Sequence, residues 1–189
     1  SISVRRRLRD AISHLKPKNV IQTGAGIGHL SAWFFHHFEQ EGGLSNFQMI
    51  EEGNRFAVIL TRLKERYSSV PASIVVGTPS LLSSELKAWN ISKVGEPPML
   101  PNADAIVVDS IMTRLADDVN SMLPLLNKNG VLFTVEPTPP VGDREEDDPE
   151  VVGFNKWMEL IQSTNETHHL AFAPLFGGTI VAWISKDQD

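Results

Sequence analysis

Five short β-prone runs recur along the chain, and each is separated from the next by a segment long enough to form a helix. The runs are Asn19-Val-Ile-Gln-Thr23, Phe47-Gln-Met-Ile-Glu51, Ser73-Ile-Val-Val76, Ala105-Ile-Val-Val108 and Val131-Leu-Phe-Thr-Val135. A strand that returns through a helix must lie parallel to its predecessor, and such crossovers are right-handed. The alternation therefore predicts an α/β fold with a doubly wound, mostly parallel sheet. The fourth run is wholly apolar, as a central parallel strand covered on both faces should be. Helices are expected at residues 5–15, 30–39, 55–67, 81–89, 115–126 and 150–162. Pro17 stops the first. Trp33, Phe34 and Phe38 give the second an apolar side. Asn129-Gly130 is expected to turn the chain into the fifth strand. Two last strands, at 169–173 and 179–184, flank Gly177-Gly178. That connection permits a hairpin but no crossover, so these two are expected to pair antiparallel.

Composition narrows the functional classes. Of 189 residues, 41% are hydrophobic and 21% charged, as in an ordinary globular protein. No apolar run approaches the roughly 18 residues of a membrane span, so no membrane partner is expected. Arg5, Arg6, Arg7 and Arg9 imitate a signal n-region, but alternating polar and apolar residues follow instead of an h-region. With no cysteine, disulfides, thiolate zinc sites and a cysteine nucleophile are excluded, and a cytoplasmic location is expected. A net charge of -6 points away from nucleic acid. Neither a repeat nor a second domain is apparent. The expected organisation is one domain over 1–189, with an N-terminal helical segment at 1–17 and an acidic, proline-rich exposed loop at 137–149.

The chemistry-bearing residues gather after the strands. Gly24-Ala25-Gly26-Ile27-Gly28 joins the first strand to its helix. Glycines there let the backbone turn tightly and approach a ligand, with helix N–H groups aimed at it. A plain turn is the other reading. The third glycine comes one residue earlier than in the dinucleotide fingerprint G-x-G-x-x-G, which disfavours a nicotinamide-dependent oxidoreductase. Glu51 ends the second strand, where an acid can accept from both hydroxyls of a ribose, or stand as a solvated loop acid beside Glu52. Asp109 ends the fourth, at the carboxyl edge where open α/β sheets bind ligands, or caps the next helix.

Together these residues resemble the class I S-adenosylmethionine-dependent methyltransferases, and more narrowly the catechol and caffeoyl-CoA type O-methyltransferases. The likeness runs from Asn19 to Lys186. It rests on Val20-Ile-Gln-Thr-Gly-Ala-Gly-Ile-Gly28, Met49-Ile-Glu51, Ile106-Val-Val-Asp109 and Leu123-Pro-Leu-Leu-Asn-Lys-Asn-Gly-Val131. The tail, from Gly142-Asp143 through Asp148-Pro-Glu150 to Gly177-Gly178-Thr-Ile180, is also similar. The resemblance implies a Rossmann-like seven-stranded sheet of order 3-2-1-4-5-7-6. It implies that Gly24, Gly26 and Gly28 cradle the methionine part of S-adenosylmethionine and that Glu51 binds its ribose. Residues 77–80, Thr78 among them, would border the adenine. Asp109 would lie beside the sulfonium as the catalytic candidate, and in metal-dependent members would also ligate magnesium.

Several positions depart from the family. Gln22 stands where an acid usually heads the glycine motif. Met112 replaces the lysine that serves as general base, and methionine cannot accept a proton. Val135-Glu136 replaces an Asp-Asn ligand pair, leaving a thin magnesium site. No metal is therefore expected. The paired histidines His36-His37 and His168-His169 are poorly placed to chelate, because neighbours diverge by about 100° on a helix and to opposite faces on a strand. His29 follows the glycine loop and is a candidate cofactor contact or base. The four tryptophans are expected in the core. The functional expectation is methyl transfer to a small-molecule acceptor, on oxygen, metal-independent or weakly metal-dependent. The alternative is a catalytically silent fold retained as a cofactor-binding or dimerisation module, and a homodimer is compatible with either.

Overall fold

The computed structural model describes residues 1–186; the last three positions of the expected 1–189 span lie outside the described residues. Seven strands form one sheet: β1 (Asn19–Thr23), β2 (Asn46–Glu51), β3 (Ala72–Val76), β4 (Ala103–Val108), β5 (Leu126–Val135), β6 (His168–Leu175) and β7 (Gly178–Ser185). Their order is β3-β2-β1-β4-β5-β7-β6. The first five are parallel, and β7 pairs antiparallel with both β5 and β6. This is the expected topology, including the hairpin across Phe176-Gly177. Six α-helices connect or flank the strands: α1 (Ile2–Leu15), α2 (His29–Glu41), α3 (Asn54–Arg66), α4 (Pro79–Ser92), α5 (Met112–Met122) and α6 (Pro149–Thr164). No helix is long and apolar enough to cross a membrane among the described residues.

The period of two along each strand divides the core. Val20, Ala105, Val107, Val131, Phe133 and Ile180 face α1, α2 and α3, where Phe34, Phe35, Phe38, Phe47 and Leu60 are buried. Ile21, Ile106, Val108, Leu132, Val181 and Trp183 face α4, α5 and α6, against Leu86, Leu115, Val119, Met122 and Trp157. Each such side chain contributes roughly 1.5–3 kcal/mol by leaving water. Phe47 is met edge-on by Phe34 and Phe35, with ring centroids 6.0 and 5.2 Å away. Trp157 and Trp183 pack edge to face at 5.7 Å, and the Trp183 indole N–H donates to Thr164 Oγ1 at 2.9 Å.

Several boundaries differ from the sequence expectation: α1 begins at Ile2, α4 spans Pro79–Ser92, and β5 begins at Leu126 rather than Val131. The helix read over 115–126 begins at Met112 and ends at Met122, passing into a 3-10 turn over Leu123–Leu125. Pro124 has no N–H with which to continue the α ladder. Asn129, at φ 64°, then marks a break in β5: Ala103 pairs with Leu126, whereas Ala105 pairs with Val131.

The site follows from strand order. β2 and β3 lie to one side of β1 and β4 and β5 to the other, so the connections diverge above the paired ends of β1 and β4. Open α/β sheets bind ligands in the crevice left at such a reversal.

Candidate functional site: the cleft above β1 and β4

The glycine loop is shaped by one close approach. Gly24 has φ +65°, and a Cβ there would sit 1.8 Å from the Asp109 carbonyl oxygen. The Asp109 N–H in turn donates to the Thr23 carbonyl at 3.2 Å. Only a residue without a side chain lets the ends of β1 and β4 meet this closely. The other two glycines act differently. The Gly26 N–H donates to Glu51 Oε2 at 2.6 Å. Gly28, at φ +84°, lies against α3, where a Cβ would meet Leu63 Cδ2 at 2.9 Å.

Glu51 is buried, 8% exposed, and its Oε1 also accepts from the Gly53 N–H at 3.1 Å. It is therefore no solvated loop acid; Glu52 fills that description. A carboxylate has about four lone-pair sites, so two backbone donors leave room for two more. Asp109 does not cap α5, whose N-cap is Ile111 and whose first turn carries no side-chain cap bond. Its carboxyl stands at the mouth of the cleft, and desolvation raises its pKa above the usual aspartate value, with Arg5 acting against the rise.

These residues line a cleft of about 470 Å³, formed by Thr23, Gly24, Glu51, Gly77, Asp109 and residues of α5. Thr78 borders it without lining it: its hydroxyl accepts from the Leu81 N–H at 3.2 Å and caps α4, while Gly77 and Pro79 face the space. Gln22 is buried and accepts from the Ser31 hydroxyl at 2.9 Å, a neutral pairing that suits its dry position. His29 opens α2 on the exposed surface and is not part of the cleft wall. Met112 opens α5, and Glu136 is exposed, its N–H bonded to the Thr179 carbonyl at 2.8 Å. Among the described residues no three His, Asp or Glu side chains are grouped to hold a metal ion.

The cleft also contains an electrostatic arrangement that the sequence reading missed. Arg114 of α5 pairs with Glu52 at the end of β2, and this bond holds Glu52 below the usual carboxylate range. One turn on, Asp118 is buried and accepts from the Ser110 hydroxyl. Burial raises its pKa, and the Ser110 bond and Arg114 work against that rise. Arg114 and Asp118 are four residues apart on α5, the spacing of one helix face, and that was the available signal. Two buried polar atoms beside this space, Thr23 Oγ1 and Arg114 Nε, have no hydrogen-bond partner among the described residues. Unpaired buried donors and acceptors are uncommon and point to a ligand or water.

The residues present fit S-adenosylmethionine. Asp109 supplies a negative charge, Glu51 offers acceptor sites for a diol, and Gly24 lines the same space. Ile50, Phe56, Pro79 and Ile111 give apolar surface for a flat base.

No protein-family model matches the sequence, and no curated protein matches it either. Solved structures do. The chain is similar to the methyltransferase PaMTH1 of Podospora anserina, bound to S-adenosylhomocysteine, at 16% identity and TM-score 0.66 over 97% of this chain and 78% of that one. It is similar to the O-methyltransferase TomG of Streptomyces achromogenes, involved in tomaymycin synthesis and complexed with S-adenosylmethionine, at 14% identity and TM-score 0.70 over 96% and 79%. An O-methyltransferase of Bacillus cereus complexed with S-adenosylhomocysteine matches at 17% identity and TM-score 0.66 over 96% and 80%. At these identities the likeness establishes a shared fold.

Proposed function

We infer that the chain is an S-adenosylmethionine-dependent methyltransferase that methylates an oxygen of a small molecule. One observation carries this reading: a buried carboxylate, Glu51, and a carboxylate at the cleft mouth, Asp109, face one space across a glycine whose Cβ would fill the contact between β1 and β4. The three similar solved methyltransferases, each with this cofactor or its product bound, support it. Glu51 would hold the ribose hydroxyls by charge-assisted hydrogen bonds. The base would lie toward Phe56, Pro79 and Ile111.

When bound, the cofactor supplies a methyl group made electrophilic by a sulfonium, which leaves as a neutral thioether. Asp109 is the chain's proton acceptor. Its carboxylate would take the proton of the acceptor hydroxyl as that oxygen accepts the methyl group. A pKa raised by desolvation makes Asp109 a stronger base than an ordinary aspartate. Positioning of acceptor and methyl in line supplies much of the remaining rate.

A second reading is favoured by Met112 and by the lack of a three-ligand metal cluster among the described residues: a domain that binds the cofactor without turning it over. Calorimetry with S-adenosylmethionine, S-adenosylhomocysteine and NAD side by side tests the cofactor assignment. Binding of the first two at micromolar levels, with no NAD response, is the expected result. Tight NAD binding with no response to S-adenosylhomocysteine overturns it, and product binding with no transfer to any acceptor selects the second reading.

A further inference from the structure

A second cavity, of about 240 Å³, lies on the other side of Asp109, between the first turns of α1 and the carboxyl ends of β4 and β5. Its walls are largely apolar, from Val4, Leu8, Leu30, Val107 and Val135, with Thr134 and Val108 completing the sheet side. Asp109 belongs to both this cavity and the large cleft. Ser1 also lines it, and its side-chain cation is Arg5, half-buried on α1, whose guanidinium makes no hydrogen bond or ion pair with any described residue. Its influence on Asp109 is coulombic only.

Taking the methyltransferase reading as given, we propose that this cavity receives the methyl acceptor, and that the acceptor is a small hydroxycarboxylate. Its carboxylate pairs with Arg5, its apolar body lies against Val4, Leu8, Leu30 and Val107, and its hydroxyl donates to Asp109. The volume is near that of eight waters at about 30 Å³ each, enough for a single substituted ring. The guanidinium suits a carboxylate because its planar fork donates two parallel N–H bonds. A half-buried arginine beside apolar walls gains most from an anion that brings its own apolar surface into the same space. Charge also balances: the acceptor's carboxylate offsets Arg5, and Asp109 offsets the sulfonium.

The test uses the full chain saturated with S-adenosylhomocysteine, titrated with 4-hydroxybenzoate and with its neutral amide, 4-hydroxybenzamide, by calorimetry. Wild-type protein should bind the acid about tenfold or more tightly than the amide, since a hydrogen bond to a charged group is at stake. In Arg5→Gln the acid and the amide should bind alike, and Arg5→Lys should retain part of the preference. S-adenosylhomocysteine affinity should be unchanged in both variants. Equal binding of acid and amide to wild type, or binding of neither, overturns the proposal while leaving the cofactor assignment intact. An equal loss of S-adenosylhomocysteine affinity in Arg5→Gln also overturns it, because Arg5 would then serve the cofactor's own carboxylate. The wild-type comparison decides the matter even where a variant fails to fold.

Discussion

Replacing Glu51 by glutamine probes the cleft with little change in shape. The carboxylate accepts from the Gly26 N–H at 2.6 Å and the Gly53 N–H at 3.1 Å, one on each oxygen. Glutamine offers a single oxygen, so one of the two backbone donors must face an amide NH₂. A hydrogen bond to a charged group contributes about 1.5–3 kcal/mol, and a buried donor left unpaired costs about 1–3 kcal/mol. Glu51 lies at a cleft wall, where water can enter, so the lower part of that range applies to folding. About 1–2 kcal/mol of stability should be lost, a fall in Tm of roughly 2–8 °C for a chain of this length. Cofactor affinity is a separate readout. Loss of the charged acceptor for the ribose should weaken S-adenosylhomocysteine binding by about 1–3 kcal/mol, or about 5- to 150-fold in Kd. Scanning calorimetry measures the first and titration calorimetry the second. A destabilised variant that binds S-adenosylhomocysteine as tightly as wild type would show that Glu51 only braces the glycine loop. The same reasoning predicts a smaller stability change for Glu52→Gln, because that ion pair with Arg114 is substantially exposed on both sides.

Gly24→Ala should destabilise the chain by more than the roughly 1–2 kcal/mol of left-handed strain, since its Cβ would lie 1.8 Å from a carbonyl oxygen; a denaturation midpoint within error of wild type refutes this. Asp109 has a folded-state pKa above its unfolded value, so its contribution to stability is greatest in acid and is lost as pH rises from the ordinary aspartate range through the raised value. Asp109→Asn should therefore be more stable than wild type at pH 7, with a flatter pH dependence above about 4; equal stability at every pH contradicts it. The same variant should lose methyl transfer and should also lose any preference for S-adenosylmethionine over S-adenosylhomocysteine, measured as a ratio of Kd values. Methyl transfer by wild type should persist in EDTA, since Val135 lines an apolar cavity and Glu136 is exposed; inactivation by EDTA with recovery on adding magnesium refutes metal independence.

What the sequence determined by itself is the order and type of the elements. Strand-forming runs, helix periods, Pro17, Pro124 and the glycine loop act through neighbouring residues, and local propensity is written in neighbouring residues. Strand direction followed from connection lengths, because a helical segment forces a crossover and the short Pro174–Gly178 span forbids one, while the strand order came from the family resemblance. Even the role of Thr78 was legible in principle, since threonine followed by Pro79 is a helix N-cap before a first-turn proline. Distances between elements that are remote in the chain were decided only by tertiary structure. Nothing near Arg5 in sequence places it beside Asp109; the packing of α1 against α2 and β7 does that. Nothing local pairs Arg114 with Glu52, or directs Gly28 against Leu63 rather than a ligand. These contacts depend on where β2, β4 and α5 end relative to one another in three dimensions. A single sequence carries that information in all its packing at once, and in no one motif.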